Sequence, residues 1–467
     1  MYSNLTFSRY LFTYERGDIL AVFHSLKMKP IFIEKRLFLL LKQIIEDDKK
    51  YNDENIRLLY KKDADSLILI INALIENRVL NTDTKKDDKV IQHFRNNLKA
   101  GTGNIKIAYF ILAEACNLAC SYCFEYAPNH AINKSTIMSK ETALKSIDFF
   151  EKMLTLYDSE HEEKTILFYG GEPLLNYDVL NYILKEIEER KNKTNLWDNL
   201  QLSMVTNGVL LTEEIIESLV KFNVSIAISI DGPKYITDKN RFNKGGGSVF
   251  GNIMNGIELC QKHNVPFSLS VTLSEKAIQN NNDVLKFIEE INPSSLGFNI
   301  LMTDSESNIY DGYDEEAADF LIKAFKKFRE KNIYEDRMMR KVKSFVNSEV
   351  YPFDCGATGA NQIILSPSGK VGICHGYLED KKFFPTTIND INFIPLNNDV
   401  FNDWSKRSPL NMKECQNCIA LGICGGGCPM NAERNLGSIW DLDERFCIHA
   451  KKTLEWMIWD LYDNTKN

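Results

Sequence analysis

The 467-residue sequence lacks any apolar run approaching the ~20 residues of a membrane-spanning helix. It has no basic start followed by an apolar core, so no secretory signal is expected and the chain is expected in the cytoplasm. It also lacks an excess of positive charge: 56 Lys and Arg stand against 64 Asp and Glu, a formal charge of −8. That balance leaves no electrostatic footprint for nucleic acid. Neither a membrane nor a nucleic acid is expected as a partner. A hydrophobic content of 44% and a charged content of 26% are those of an ordinary globular protein. The length allows roughly three domains.

Cysteine, by contrast, is plentiful. Eleven cysteines without secretion argue for metal sites over disulfides. All but one fall in two groups, near residue 120 and after residue 350. The exception, Cys260, follows Ile253 and Ile257 at helical spacing and reads as a core thiol.

The first group is Cys116-Asn117-Leu118-Ala119-Cys120-Ser121-Tyr122-Cys123. It ends an apolar run, Ile105 to Ala113, that reads as a buried strand, so the thiols fall on the loop leaving it. Three cysteines leave one iron of a [4Fe-4S] cluster without a protein ligand. Such an iron can bind a small molecule and pass it an electron. Structural zinc wants four ligands, and no fourth Cys or His is close by. With Tyr122 before its last cysteine, the C-x3-C-x2-C motif resembles the radical S-adenosylmethionine (radical SAM) family. There the open iron chelates the cofactor's amino and carboxylate groups and reduces it to a 5′-deoxyadenosyl radical.

From residue 105 strands and helices alternate. Strand candidates are Ile105–Ala113, Thr165–Tyr169, Leu202–Thr206, Val224–Ile230, Phe267–Leu273 and Leu296–Leu301. Six strand–helix units imply a parallel sheet with right-handed crossovers, and a closed barrel needs eight. The expected fold class is therefore α/β. Six units fit the partial (β/α)6 barrel of radical SAM enzymes, placed at 104–305. Site residues are expected at the C-terminal strand ends. Gly170-Gly171-Glu172-Pro173 resembles the family's G-G-E-P motif, which implies that its backbone and Glu172 bind the methionine amino group. Asn207, Ser229 and Asp231 end the next two strands and by the same resemblance surround the cofactor, although turn chemistry explains Asn-Gly and Asp-Gly-Pro equally well. Arg241 matches an arginine that pairs with the cofactor carboxylate in related enzymes; the alternative is a solvated arginine.

Residues 1–80 read as a separate module. Tyr10–Thr13 and Ile19–Phe23 flank a hairpin turn, and two helical patterns follow. The pattern resembles the winged-helix element of maturases of ribosomally made peptides, which binds a leader peptide as an added strand. A plain packing domain is the alternative. Residues 81–103 are polar and read as a linker with at most a short helix, 306–348 as a helical bridge, and 451–467 as a terminal helix.

Between them, at 349–450, lies the second cysteine group. Cys355-x13-Gly369-x4-Cys374, then Cys415-x2-Cys418-x5-Cys424-x3-Cys428, then Cys447, match the seven-cysteine pattern of the SPASM domain. The resemblance implies two auxiliary iron–sulfur clusters, an outer one on Cys415, Cys418, Cys424 and Cys447 and an inner one on Cys355, Cys374 and Cys428. With the barrel cluster that makes three [4Fe-4S] clusters. Related anaerobic sulfatase maturases carry an eighth cysteine shortly after the first; here Gly356–Asn361 has none, leaving an inner iron open to a substrate thiolate, water, Asp354 or His375. Those maturases place a catalytic aspartate after the second cysteine, where this chain has His375. Cys-His there is more like thioether-forming maturases, with His375 either a base or a packing residue.

The expected function is radical modification of a precursor peptide with a leader sequence, forming thioether crosslinks, with an external electron donor of flavodoxin or ferredoxin type. The alternatives are another radical oxidation of a peptide or protein (carbon–carbon crosslinking, epimerisation or formylglycine formation) and an iron–sulfur electron carrier.

Overall fold

The computed structural model describes residues 5–47, 52–81, 83, 85–100, 102–123, 136–157, 159–302 and 309–465. The expected boundary between barrel and bridge, at 305/306, lies outside them. Among the described residues no helix is long and apolar enough to cross a membrane.

Six strands, Ile107–Ala113, Lys164–Gly170, Leu200–Thr206, Val224–Ser229, Phe267–Leu273 and Ser295–Ile300, lie side by side in chain order and pair in parallel. Helices connect them, including Lys140–Leu156, Tyr177–Lys191, Glu213–Lys221, Phe250–Lys262 and Asn281–Ile291. Local chemistry sets where helices begin: Ser139 and Thr212 each accept the N–H three residues on, which satisfies an orphan donor of the first turn. Alternate strand residues Ile166 and Phe168, then Leu202 and Met204, face one core with Ile147, Phe150, Ile183 and Leu184 from the helices. Each such side chain contributes about 1.5–3 kcal/mol of apolar burial. The result is an α/β fold with a mostly parallel sheet.

Neither edge of that six-stranded run is left open. Tyr334–Glu335 adds in parallel to the last strand. Gln362–Leu365, from the cysteine-rich C-terminal part, adds in parallel to the first, followed by Lys370–Gly372 and Thr386–Thr387. The sheet thus has ten strands. Gly369 turns the 362–372 hairpin at φ +76°, and a Cβ there would lie 3.1 Å from the Ile388 side chain.

The N-terminal part is a three-stranded antiparallel sheet, Leu11–Arg16, Ile19–His24 and Ile31–Glu34, with helices Lys35–Glu46, Asp53–Tyr60 and Ala64–Glu76. The two faces of the middle strand go to different places. Leu20 and Val22 pack on the module's own helices. Ala21 and Phe23 pack on Phe345, Ala420, Ile423, Cys424 and the long C-terminal helix Glu444–Thr465.

The stretch read as a polar linker departs from that expectation. Lys85–Ala100 forms a 16-residue helix. Its narrow stripe of Val90, Ile91 and Leu98 packs on Leu410, Met412, Cys415 and Leu421. Asp87, buried near its start, accepts from Ser8 Oγ (2.9 Å), Arg9 N (2.8 Å) and Asn81 Nδ2 (2.9 Å). Replacing Asp87 by Ala leaves those donors without an acceptor, so chemical denaturation is expected to show a loss of about 1–3 kcal/mol. An unchanged midpoint would contradict this role for Asp87.

Candidate active site

The site forms where the strand ends meet the cysteine loop. Gly170 (φ +135°) and Gly171 lie so close to that loop that a Cβ would fall 2.2 Å from Ala113 O and 2.3 Å from Ala115 O. The approach is held by Gly171 N–H to Ala113 O and Glu172 N–H to Ala115 O, both 2.9 Å. On its other side the loop is pinned by Ala119 N–H to Phe242 O and Ser121 N–H to Asn240 O, both 2.9 Å.

Glu172 is fully buried. Its carboxylate accepts from Thr206 Oγ1 (2.7 Å), Asn207 N (2.8 Å) and Leu174 N (3.0 Å). Asn207 in turn donates from Nδ2 to Asn117 Oδ1 (2.7 Å), within the cysteine loop. These bonds tie the ends of the second and third strands to the Cys116 segment. Burial raises the Glu172 pKa to about 7, against three hydrogen bonds that favour its ionised form.

Asp231, expected beside the cofactor, stands behind the wall. It is fully buried and accepts from Tyr122 Oη (2.7 Å), Arg241 Nε (3.1 Å) and Thr272 N (3.3 Å). The Arg241 guanidinium lies 5.5 Å from the Tyr122 ring centre. Arg241 is buried, which departs from a solvated arginine.

A cavity of about 440 Å³ opens onto these groups. It is lined by Cys116, Cys120 and Cys123 with Tyr122, Gly170, Gly171, Glu172, Asn207, Ser229 and Arg241, and also by Cys355, Cys374, Cys428 and His375. His375 stacks on Tyr109 (5.2 Å, 13°) and meets Tyr169 edge-on (5.0 Å). Burial lowers its pKa to about 4, so the ring is neutral near pH 7.

Cys415, Cys418, Cys424 and Cys447 do not line this cavity and form a second set. Burial first, and then the other cysteines of the set, push Cys415 and Cys447 up to about 12. Cys374 is raised by burial and then by Cys428 and Cys355. Ten thiols thus divide into six that line the cavity, Cys116, Cys120, Cys123, Cys355, Cys374 and Cys428, and four that lie apart from it. Cysteine sulfur is the soft donor that iron–sulfur clusters take, so the chemistry of the donor set fits iron–sulfur ligation. Cys260 is buried in the barrel core.

Sequence reasoning missed Asn117, Thr206 and Thr272, which act through neighbours across the chain and carry no local pattern. It also missed Arg337, Arg340 and Arg445, which line the cavity too; Arg445 is paired with the fully buried Asp443 (2.8 Å).

Fold and site together define an α/β enzyme with an open cysteine triad at the strand ends. Residues 110–288 match the model of the Radical SAM superfamily. The chain carries a radical SAM domain and is an enzyme of that superfamily. It is 26% identical over 374 residues to the radical SAM cyclopropyl synthase TigE of Paramaledivibacter caminithermalis, spanning 75% of this chain and 73% of that protein. It is 26% identical over 365 residues to a cysteine-type anaerobic sulfatase-maturating enzyme of Clostridium novyi, spanning 73% and 91%. The solved structure of native anSMEcpe with bound AdoMet and Cp18Cys peptide superposes with a TM-score of 0.62 at 22% identity, covering 77% of this chain and 99% of that one, and shares the fold.

Replacing Glu172 by Gln keeps the volume but turns a donor toward the Asn207 N–H. One buried donor left unmatched costs about 1–3 kcal/mol. S-adenosylmethionine affinity is therefore expected to fall roughly tenfold in anaerobic equilibrium dialysis. The raised pKa has a second consequence. The folded chain binds this proton more tightly than the unfolded one, so the Glu172 contribution to stability falls as pH rises from 4.5 to about 7. The Gln variant is expected to lose that slope in pH-dependent melting; an unchanged slope and affinity would contradict the assignment.

Proposed function

We propose that this enzyme modifies a ribosomally made precursor peptide, closing thioether bonds between cysteine sulfur and carbon. The observation that carries the reading is the shared cavity, lined both by the Cys116, Cys120 and Cys123 triad and by Cys355, Cys374 and Cys428. In this reading residues 349–450 are a SPASM domain with outer and inner auxiliary clusters, and Cys116, Cys120 and Cys123 hold the barrel cluster. When bound, the barrel cluster and S-adenosylmethionine supply the abstraction of a hydrogen atom.

The chain's own residues then position and protect. The Gly170-Gly171-Glu172 backbone takes the cofactor's amino group, while the Glu172 carboxylate holds the loop in place. Arg241, with its Nε given to Asp231, offers its terminal amines to the cofactor carboxylate. Asn207 and Ser229 line the ribose and methionine end. Tyr109, Tyr169 and the neutral His375 wall the peptide side of the cavity and exclude water.

Cys355, Cys374 and Cys428 would hold the inner cluster, which would supply an open iron site for a peptide thiolate beside the carbon to be attacked. The C–H and S–H bonds break and one C–S bond forms. One hydrogen leaves on 5′-deoxyadenosine and one as a proton, and one electron leaves the substrate; the auxiliary clusters, held by the seven C-terminal cysteines, would supply its path to a flavodoxin- or ferredoxin-type protein. The N-terminal sheet and helices act as a winged-helix-like module, offering the Ile31–Glu34 edge to a leader strand. The protein works in the cytoplasm.

A second reading has a specific observation behind it: the similarity to a cyclopropyl synthase favours carbon–carbon bond formation. Both reactions make the peptide lighter by about two mass units per bond. They separate on the thiol. Thioether closure blocks alkylation of the crosslinked cysteine, and a Cys→Ser peptide is expected to stop losing hydrogens while cofactor cleavage continues. A product with every thiol free, or continued hydrogen loss from the Ser peptide, would overturn the thioether reading in favour of the second. Anaerobically reconstituted enzyme is expected to hold about three [4Fe-4S] clusters, and Cys116→Ala/Cys120→Ala/Cys123→Ala to lose about a third of the iron. Iron for a single cluster would remove the SPASM reading.

A further inference from the structure

Arg407 is completely buried, yet among the described residues no carboxylate pairs with it. Its partners are backbone carbonyls. Nε donates to Ile439 O, Nη1 to Gly426 O (2.8 Å) and Gly427 O (3.3 Å), and Nη2 to Asp441 O (3.2 Å). Carbonyls satisfy the donors but do not neutralise the charge, and a buried charge without a counterion is costly. Asp443 is close enough to be felt, but its oxygens already accept from Arg445, Asn431 Nδ2 and the Cys428 N–H.

Around Arg407 also lie cysteines of both C-terminal sets, which would become thiolates on taking a metal. Cys428 and Cys355 come from one, Cys424 and Cys415 from the other. The loop joining Cys424 to Cys428 is shaped to receive the guanidinium. Gly425, Gly426 and Gly427 all take left-handed φ, +75°, +86° and +69°. Two of these glycines turn their carbonyls onto Nη1.

We propose that Arg407 is the shared countercharge of the two auxiliary cluster sites and sets their reduction potentials together; the role rests on the SPASM reading above. A fixed cation between them stabilises the more negative, reduced form of each, so its loss makes both harder to reduce.

The test is an EPR-monitored redox titration of the full-length chain carrying Cys116→Ala, Cys120→Ala and Cys123→Ala, so that only auxiliary signals are read. Iron and sulfide are assayed first. A background chain without either defeats the SPASM reading itself. With clusters present, Arg407→Gln is expected to lower the reduced-to-oxidised ratio at a fixed potential about tenfold at both sites, which is about 59 mV for one electron. Arg407→Lys, which keeps the charge, is expected to hold the wild-type ratio. A loaded Gln variant with unchanged ratios, or a shift at one site only, overturns the proposal while leaving the cluster reading intact. Should the Gln variant fail to load, Arg407→Lys decides: loaded with wild-type ratios it supports the shared charge, and any other behaviour assigns Arg407 to holding the loops alone.

Discussion

Parallel pairing of Gln362–Leu365 with Ile107–Phe110 sets the distance between the two ends of the chemistry. The first barrel strand leads into Cys116, and the added strand lies between Cys355 and Cys374. Joining them in one ladder, in fixed register, brings both sets of thiols onto one cavity. A one-residue slip would turn every side chain of the added strand to the opposite face. The hairpin around Gly369 and the packing of Ala357, Ile363 and Ile364 in the barrel core hold the register.

Around that ladder, buried polar groups divide into those that build walls and those that face the cavity. Glu172 and Asp231 are both fully buried and both accept three hydrogen bonds. Their work is to hold Asn207, Tyr122 and Arg241, which line the cavity as Glu172 itself does. The low proton affinity of His375 follows the same economy: a ring packed between two tyrosines loses water, and with it the charged state.

Much of this was legible beforehand. Apolar runs located the six strands to within about two residues, because burying one face leaves alternate apolar residues, as in Leu200–Thr206 and Val224–Ser229. The cysteine spacings and Gly170-Gly171-Glu172-Pro173 marked the cavity wall. Three things were not legible. Periodicity says nothing about which distant strand pairs with which, so the extension of the sheet into the C-terminal part was hidden. The Lys85–Ala100 helix was read as linker because Val90, Ile91 and Leu98 are few among charged residues, and its partners lie more than three hundred residues away. The indirect role of Asp231 was missed because an Asp-Gly-Pro turn looks the same whether its carboxylate faces a ligand or a buried arginine.

The central claim is that a carbon of a bound peptide sits in the cavity lined by the two cysteine sets and gives its hydrogen to the cofactor. The most direct measurement uses a precursor peptide deuterated at its non-exchangeable carbon positions, turned over anaerobically with unlabelled S-adenosylmethionine. The account predicts one deuterium in the 5′-deoxyadenosine formed for each modification made. Modified peptide accompanied by 5′-deoxyadenosine without deuterium would contradict it.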